Sequence, residues 1–515
     1  MLQISTIPNR YNFKKNTNIE NIYNNINKIT IMSEQAQWDS TLSFLFAMIG
    51  VAVGLGNIWR FSYVVYTNGG GTFFIPYLVA IALMGIPFLI LEYGIGFSFK
   101  KSFTEIMKSI RPQFEIIAWI LVIFAFIVTI YYMVILSWDL VYLLSSITFS
   151  WGTDAALYFV NNVGGSSNLS NASFLLIPTT IGVIITWAIL WFISNKDVDK
   201  GIGKASKILI PLLFIIMGII IVYALTLPGA DIGINTLLNP TWSKLYDVNI
   251  WLAAFGQIIF SLSVGEALAL TYASYLPENS KLTDNVFLVV ASNSTFEVCT
   301  AFGVFSILGF MSYTTGTPMV QLITEGTGLI FIVFPMIFNI MGTMGRILAP
   351  LLFLAILFAG ITSALGLFEP MVNSTLSKLG WSRRKTTTIL CIIGCIISVT
   401  LTTGISSYLI GIIDAFVNQF GVLLLIPIQA IIFGWIYGLD NVIPVLNEHS
   451  KIKVGRLWKA IIKYIAPVIL FGLWGFGIFK LFSNANSFEI TVYAIISIGV
   501  LALSLLFTKR KTPSN

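Results

Sequence analysis

From residue 41 to residue 508 the chain alternates long apolar runs with brief polar breaks. Each run holds about 20 residues, the length at which a helix crosses the hydrocarbon core of a bilayer. The runs are continuous and lack the period-two alternation of barrel strands, so they predict helices. Twelve spans are expected, near 41–63, 72–98, 115–147, 173–194, 204–227, 248–276, 283–310, 346–376, 386–403, 407–436, 457–482 and 487–508. The breaks are short, so no separate soluble domain is expected. The fold class is therefore an all-α membrane protein with twelve transmembrane helices.

Composition agrees. Hydrophobic residues make up 57% of the chain and charged residues 10%, with mean hydropathy +0.88. A soluble domain carries about 25% charged residues. The net charge of +7 is a topological signal here and gives no reason to expect nucleic acid. All but four of the 29 Lys and Arg fall in segments on the N-terminal side of the membrane, among them Lys100, Lys101, Lys108, Arg111, Lys196, Lys200, Lys204, Lys207, Arg383, Arg384 and Lys385. The four exceptions are Lys244 and Lys480 in outer loops and Arg60 and Arg346 in or beside spans. This asymmetry predicts a cytoplasmic-membrane protein with both termini inside. Cys299, Cys391 and Cys395 all lie within spans, so no structural disulfide is expected.

Residues 1–37 read as an N-terminal tail. Within it, 1–31 are rich in Asn, Ile and Lys and have no signal peptide's apolar centre. They read as a disordered tail or a mis-assigned start ahead of Met32. Residues 38–436 form a ten-span core, 437–508 hold spans 11 and 12 with their connection, and 509–515 form a second tail.

Two spans are interrupted at corresponding places. The first reads FLFAMIGVAVGLGNIWRF and places Gly50, Gly54 and Gly56 within seven residues, beside Asn57. The sixth reads GQIIFSLSVGEALALTYASY and places Ser261, Ser263, Gly265 and Glu266 at mid-span. Each glycine weakens a helix by about 1 kcal/mol relative to Ala. Backbone freed at bilayer depth is tolerated only where it faces protein or a cavity. Paired breaks five spans apart point to an inverted five-plus-five repeat with its site at the midplane. Either break alone would read as close helix packing.

From Trp38 onward the sequence resembles the neurotransmitter:sodium symporter family, in particular its prokaryotic LeuT-like amino-acid transporters. The resemblance rests on GVAVGLGNIWRF (50–61), NGGGTFFIPY (68–77), GIPFLILEYGIG (85–96), YYMVILSW (131–138), GQIIFSLS (256–263) and FAGITSALG (358–366), in that order. It implies a LeuT-type five-plus-five inverted repeat with broken spans 1 and 6, and sodium-driven symport of an amino acid. Residue by residue, amides around Leu55 and Gly56 and the hydroxyl of Tyr132 would hold a substrate carboxylate. Exposed N–H groups at a half-helix start attract an anion on physical grounds too. Val128, Phe260, Ser263, Glu266, Ser363, Gly366 and Leu367 would line the side-chain pocket. Gly54 stands where amine-transporting relatives carry an acid, which favours a substrate bringing its own carboxylate.

The resemblance also implies two sodium sites. The first comprises the Ala52 carbonyl, Asn57, Ser261, Asn293 and the substrate carboxylate. The second comprises the Gly50, Val53 and Ala359 carbonyls with the Thr362 and Ser363 hydroxyls. Oxygen-only ligands suit a hard cation. Arg60 and Asp414 resemble an outer gate pair, with Phe260 and Tyr132 as a lid below it. A homodimer is compatible with the family.

Three departures stand out. The family's inner Arg–Asp gate maps onto Gln35 and Ser377, so inner closure must use other contacts, with Trp38 and Tyr275 as candidates. Glu297, beside Tyr77, Gln257, Ser261 and Asn293, stands where chloride-dependent relatives carry a small polar residue, so no chloride requirement is expected. Glu266 replaces an apolar pocket residue. Three roles are open to it: pairing with a cationic substrate side chain, staying protonated, or bonding the broken helix near Glu92. The function expected is a sodium-coupled symporter working by alternating access. An enzyme would need a nucleophile and base, and no span holds a histidine. A channel or substrate sensor on the same scaffold is the alternative.

Overall fold

A computed structural model describes residues 37–323 and 326–511. The expectations for residues 1–31, and for Gln35 at the inner gate, lie outside the described residues. The structure is helical, and each of the twelve apolar runs coincides with a helix or a helix pair. Among the described residues nine helices are long and apolar enough to cross a bilayer: Gly71–Phe99, Pro112–Thr148, Ile177–Ser194, Asp199–Leu225, Leu282–Thr315, Thr343–Leu379, Ser406–Asn441, Arg456–Ser483 and Ser487–Lys509. These are spans 2–5, 7, 8 and 10–12. Span 9 (Arg383–Thr400) is apolar after its first turn, where Arg383, Arg384 and Lys385 mark its inner end.

Span 1 is broken as its glycines predict. Its inner half, 1a (Thr41–Ala52), and outer half, 1b (Leu55–Thr67), meet at a bend of 47°. The extended backbone at Gly54 starts the second half, and its N–H donates to Asn57 Oδ1 at 2.9 Å. Span 6 breaks between Val248–Ser261 (6a) and Leu268–Ser274 (6b). There Ser263, Gly265 and Ala267 take positive φ values of 48°, 78° and 64°. Such angles strain Ser and Ala, and persist only where surroundings over-determine them. They do here: Gly265 N–H donates to Glu92 Oε2 of span 2 (3.2 Å), and Gln429 Nε2 of span 10 donates to Gly265 C=O (2.7 Å).

Spans 3 and 8 are long, mostly buried and packed on each other at the centre. Spans 11 and 12 bury little of their surface and flank the core. The twelve expected spans include no helix in the connections between them. The structure puts short helices in them, at Ala155–Asn162, Ala230–Leu238 and Phe334–Ile340. They are too short to cross a bilayer, so the apolar runs that reveal spans do not reveal them.

Candidate functional site

The two breaks approach each other, with Phe260 of span 6 packed over Gly56 of span 1. Asn57 Nδ2 donates to Asn293 Oδ1 (2.7 Å), and Asn293 Nδ2 donates to Ser261 Oγ (3.2 Å). Spans 1, 7 and 6 are thereby tied together at Asn57, Asn293 and Ser261, the three side chains expected at the first sodium site. At the second, Ser363 Oγ lies 3.1 Å from the Gly50 carbonyl, and Thr362 Oγ1 lies 3.0 Å from that of Ala359. Gly50 is required for this approach, because a Cβ there would sit 2.8 Å from Thr362 Cβ. Val53 and Ala52 lie at the break itself.

The cradle expected for a carboxylate is formed by the start of span 1b. Leu55 and Gly56 occupy its first turn, where backbone N–H groups lack helical partners. Tyr132 of span 3 faces the same space, near the Leu55 amide and the Ser363 hydroxyl. Val128, Ser363 and Leu367 are buried around it. Ser263 sits in the unwound link of span 6, and Gly366 packs against Val51 of span 1a. Phe260 roofs Gly56, whose absent Cβ would fall 2.2 Å from the ring. The ring is 40% exposed, so it borders open space on its far side.

Above this roof lies the outer charged pair. Arg60 holds its guanidinium 4.6 Å above the Phe260 ring and donates to Gln257 Oε1 at 2.7 Å. Asp414 Oδ1 accepts from Tyr131 (2.6 Å) and Asn418 (2.9 Å). The two face the same region, but no ion pair within 4.0 Å joins them among the described residues. Gln257 also donates to Glu297 Oε1 (2.8 Å), whose other oxygen accepts from Tyr77. Glu297 is fully buried. Glu266 is buried as well and accepts no hydrogen bond among the described residues. The role of holding the broken helix falls to Glu92 instead. Glu266 lies close enough to both Glu92 and Asp414 for their charges to interact.

The inner side is sealed by contacts of which sequence reading found only part. Trp38 N–H donates to the Tyr275 carbonyl (3.0 Å) and its indole donates to the Tyr272 carbonyl (2.9 Å). Tyr275 Oη donates to Glu369 Oε1 (2.9 Å), and Arg383 grips Glu369 with two nitrogens at 2.7 and 2.8 Å. Sequence reading missed Glu369 and Arg383. An acid inside span 8 was the available signal, since ionisable groups at that depth are functional by default. Ser377 donates to nothing charged and instead meets Ser102 Oγ at 3.2 Å.

Broken helices opposing each other across a packed scaffold define a secondary transporter of the LeuT fold. The sodium:neurotransmitter symporter family model matches residues 35–173 and 167–508. The chain is 37% identical over 487 residues to an uncharacterised sodium-dependent transporter of Methanocaldococcus jannaschii, covering 93% of this chain and 98% of that one. It is 27% identical to the sodium-dependent dopamine transporter of Caenorhabditis elegans, covering 85% and 79%. Among solved structures it resembles MhsT in complex with L-phenylalanine, with TM-score 0.73 and 28% identity over 85% of this chain and 99% of that one. The chain belongs to the sodium:neurotransmitter symporter family, and is a sodium-dependent, multi-pass membrane transporter rather than an enzyme.

Proposed function

We propose that this chain imports an α-amino acid with a basic or amine-bearing side chain, together with two sodium ions, across the cytoplasmic membrane. Both termini face the cytoplasm, and spans 1, 2, 6 and 7 rock against the rest. The carboxylate of the substrate meets the Leu55 and Gly56 amides and completes the first sodium site, which couples ion to substrate directly. One sodium ion entering down a tenfold gradient and about −100 mV releases roughly 3.7 kcal/mol. Two release about 7 kcal/mol, enough for a gradient of about 10⁵.

The observation that carries the substrate class is Glu266. It is buried at the break of span 6, has no hydrogen-bonding partner among the described residues, and stands near two further carboxylates. A substrate ammonium or guanidinium offsets that desolvated charge directly. Glu92 already bonds the broken helix, which leaves Glu266 available for the substrate. A sodium-dependent binding screen across the amino acids tests this. Lysine, arginine and ornithine should compete best, and Glu266→Gln should weaken them far more than neutral amino acids. A wild type preferring leucine or alanine, with lysine and arginine inert, would assign Glu266 to a protonated role.

A further inference from the structure

One buried carboxyl group lies outside every role described so far. Asp139 of span 3 is fully buried, and neither of its oxygens has a hydrogen-bond partner among the described residues. Its neighbours in sequence, Trp138 and Tyr142, also leave their polar atoms unpartnered. Among the described residues Asp139 takes part in no hydrogen bond or ion pair. The charges on the elements packed around it are engaged elsewhere. Arg60 of span 1b lies over Phe260 and bonds Gln257, Arg346 at the outer start of span 8 lies over Phe149, and Asp154 caps an outer helix.

Helical geometry places Asp139 on the stripe Tyr132–Leu136–Asp139, seven residues and about 10 Å outward of the substrate-facing Tyr132. Asp139 is near enough to act on the Tyr132 hydroxyl. Leu136 of the same stripe fills the notch at Gly360 of span 8, where a Cβ would lie 2.4 Å from it. The flanking rings are roofed by Phe331 of the outer connection between spans 7 and 8. Phe331 lies 6.1 Å from Trp138, 5.1 Å from Tyr142, 6.5 Å from Phe353 and 6.4 Å from Trp59 of span 1b. An ionised carboxylate cannot be kept in such an enclosure, because its solvation is lost and nothing replaces it. Exposed to water, the same group ionises at neutral pH.

We propose that Asp139 is a proton-binding site whose occupancy follows the outer roof. With Phe331 and Trp59 in place the group is a neutral carboxylic acid. When span 1b and Phe331 withdraw, its O–H bond breaks and the proton passes to the outer solution, leaving the carboxylate hydrated. Closing takes one proton back. External acid therefore favours the closed outer side by up to tenfold per pH unit for one proton. Fewer outward-open sites raise the apparent KM for substrate by the same factor.

The test uses the full chain in proteoliposomes, with sodium-driven uptake of a radiolabelled mixture of the standard amino acids as the probe, so that it stands whichever amino acid is preferred. The internal pH is fixed and the external pH varied. In the wild type KM should rise towards tenfold per unit of acidification over part of the range. In Asp139→Asn it should be flat, and in Asp139→Glu the slope should return. Infrared spectroscopy of the same samples at neutral pH should show a carboxylic-acid C=O band that Asp139→Asn removes and Asp139→Glu shifts. An Asn variant that keeps the wild-type slope and band would overturn the proposal. If that variant does not fold, an unshifted band in Asp139→Glu would overturn it equally.

Discussion

We propose that Glu297 makes transport independent of chloride. It is fully buried, receives hydrogen bonds from Tyr77 and Gln257, and adjoins the Asn293–Ser261 pair of the first sodium site. A fixed negative charge there offsets the sodium ions, as a bound anion would. Uptake should be indifferent to replacing chloride by gluconate, and Glu297→Ser should create a chloride requirement. Wild-type uptake that collapses in gluconate would refute this role. Arg60 is linked to the same carboxylate through the amide of Gln257, so the outer gate and the charge-compensating acid share one hydrogen-bonded unit. Arg60→Ala and Asp414→Asn should each lower uptake by roughly tenfold or more, a loss of about 1.4 kcal/mol in the limiting step. Near-normal uptake in both would remove these residues from the gate.

At the scale of elements, the twelve helices were legible because a bilayer demands unbroken apolar length. The breaks were legible because glycine and serine at that depth have few other uses. The residues proposed for the sodium sites lie in motifs local to spans 1, 6, 7 and 8, and the fold joins Asn57, Asn293 and Ser261 to one another and Ser363 to the Gly50 carbonyl. The inner seal was not legible in the same way. Glu369 and Arg383 lie on different spans separated by a turn, and neither belongs to a recognised motif, so only the folded turn pairs them. Asp139 was passed over because an acid inside an aromatic run gives no pattern until its lack of partners is seen. Glu369 is fully enclosed and gripped by both Arg383 and Tyr275. Breaking a buried pair of this kind costs about 3–5 kcal/mol. Glu369→Gln should therefore open the inner side, so that sodium-dependent substrate binding persists while concentrative uptake is lost. Unchanged uptake in that variant would place inner closure on Trp38 and Tyr272 alone.

At the scale of the whole molecule, a scaffold of buried spans 3 and 8 stands beside two broken helices whose exposed backbone is the proposed site for ions and substrate. Such an arrangement couples movement of one solute to the gradient of another only if the two sides never open together. We assign the two closures to the roof of Phe260 under Arg60 and to the contacts at Trp38 and Glu369. A channel or a sensor on this scaffold would bind or pass the same solutes without concentrating them. The most direct measurement is amino-acid uptake into proteoliposomes under an inward sodium gradient. The account predicts accumulation well above equilibrium, abolished when potassium replaces sodium or an ionophore dissipates the gradient. Uptake that stops at equal concentrations, or proceeds equally without sodium, would contradict it.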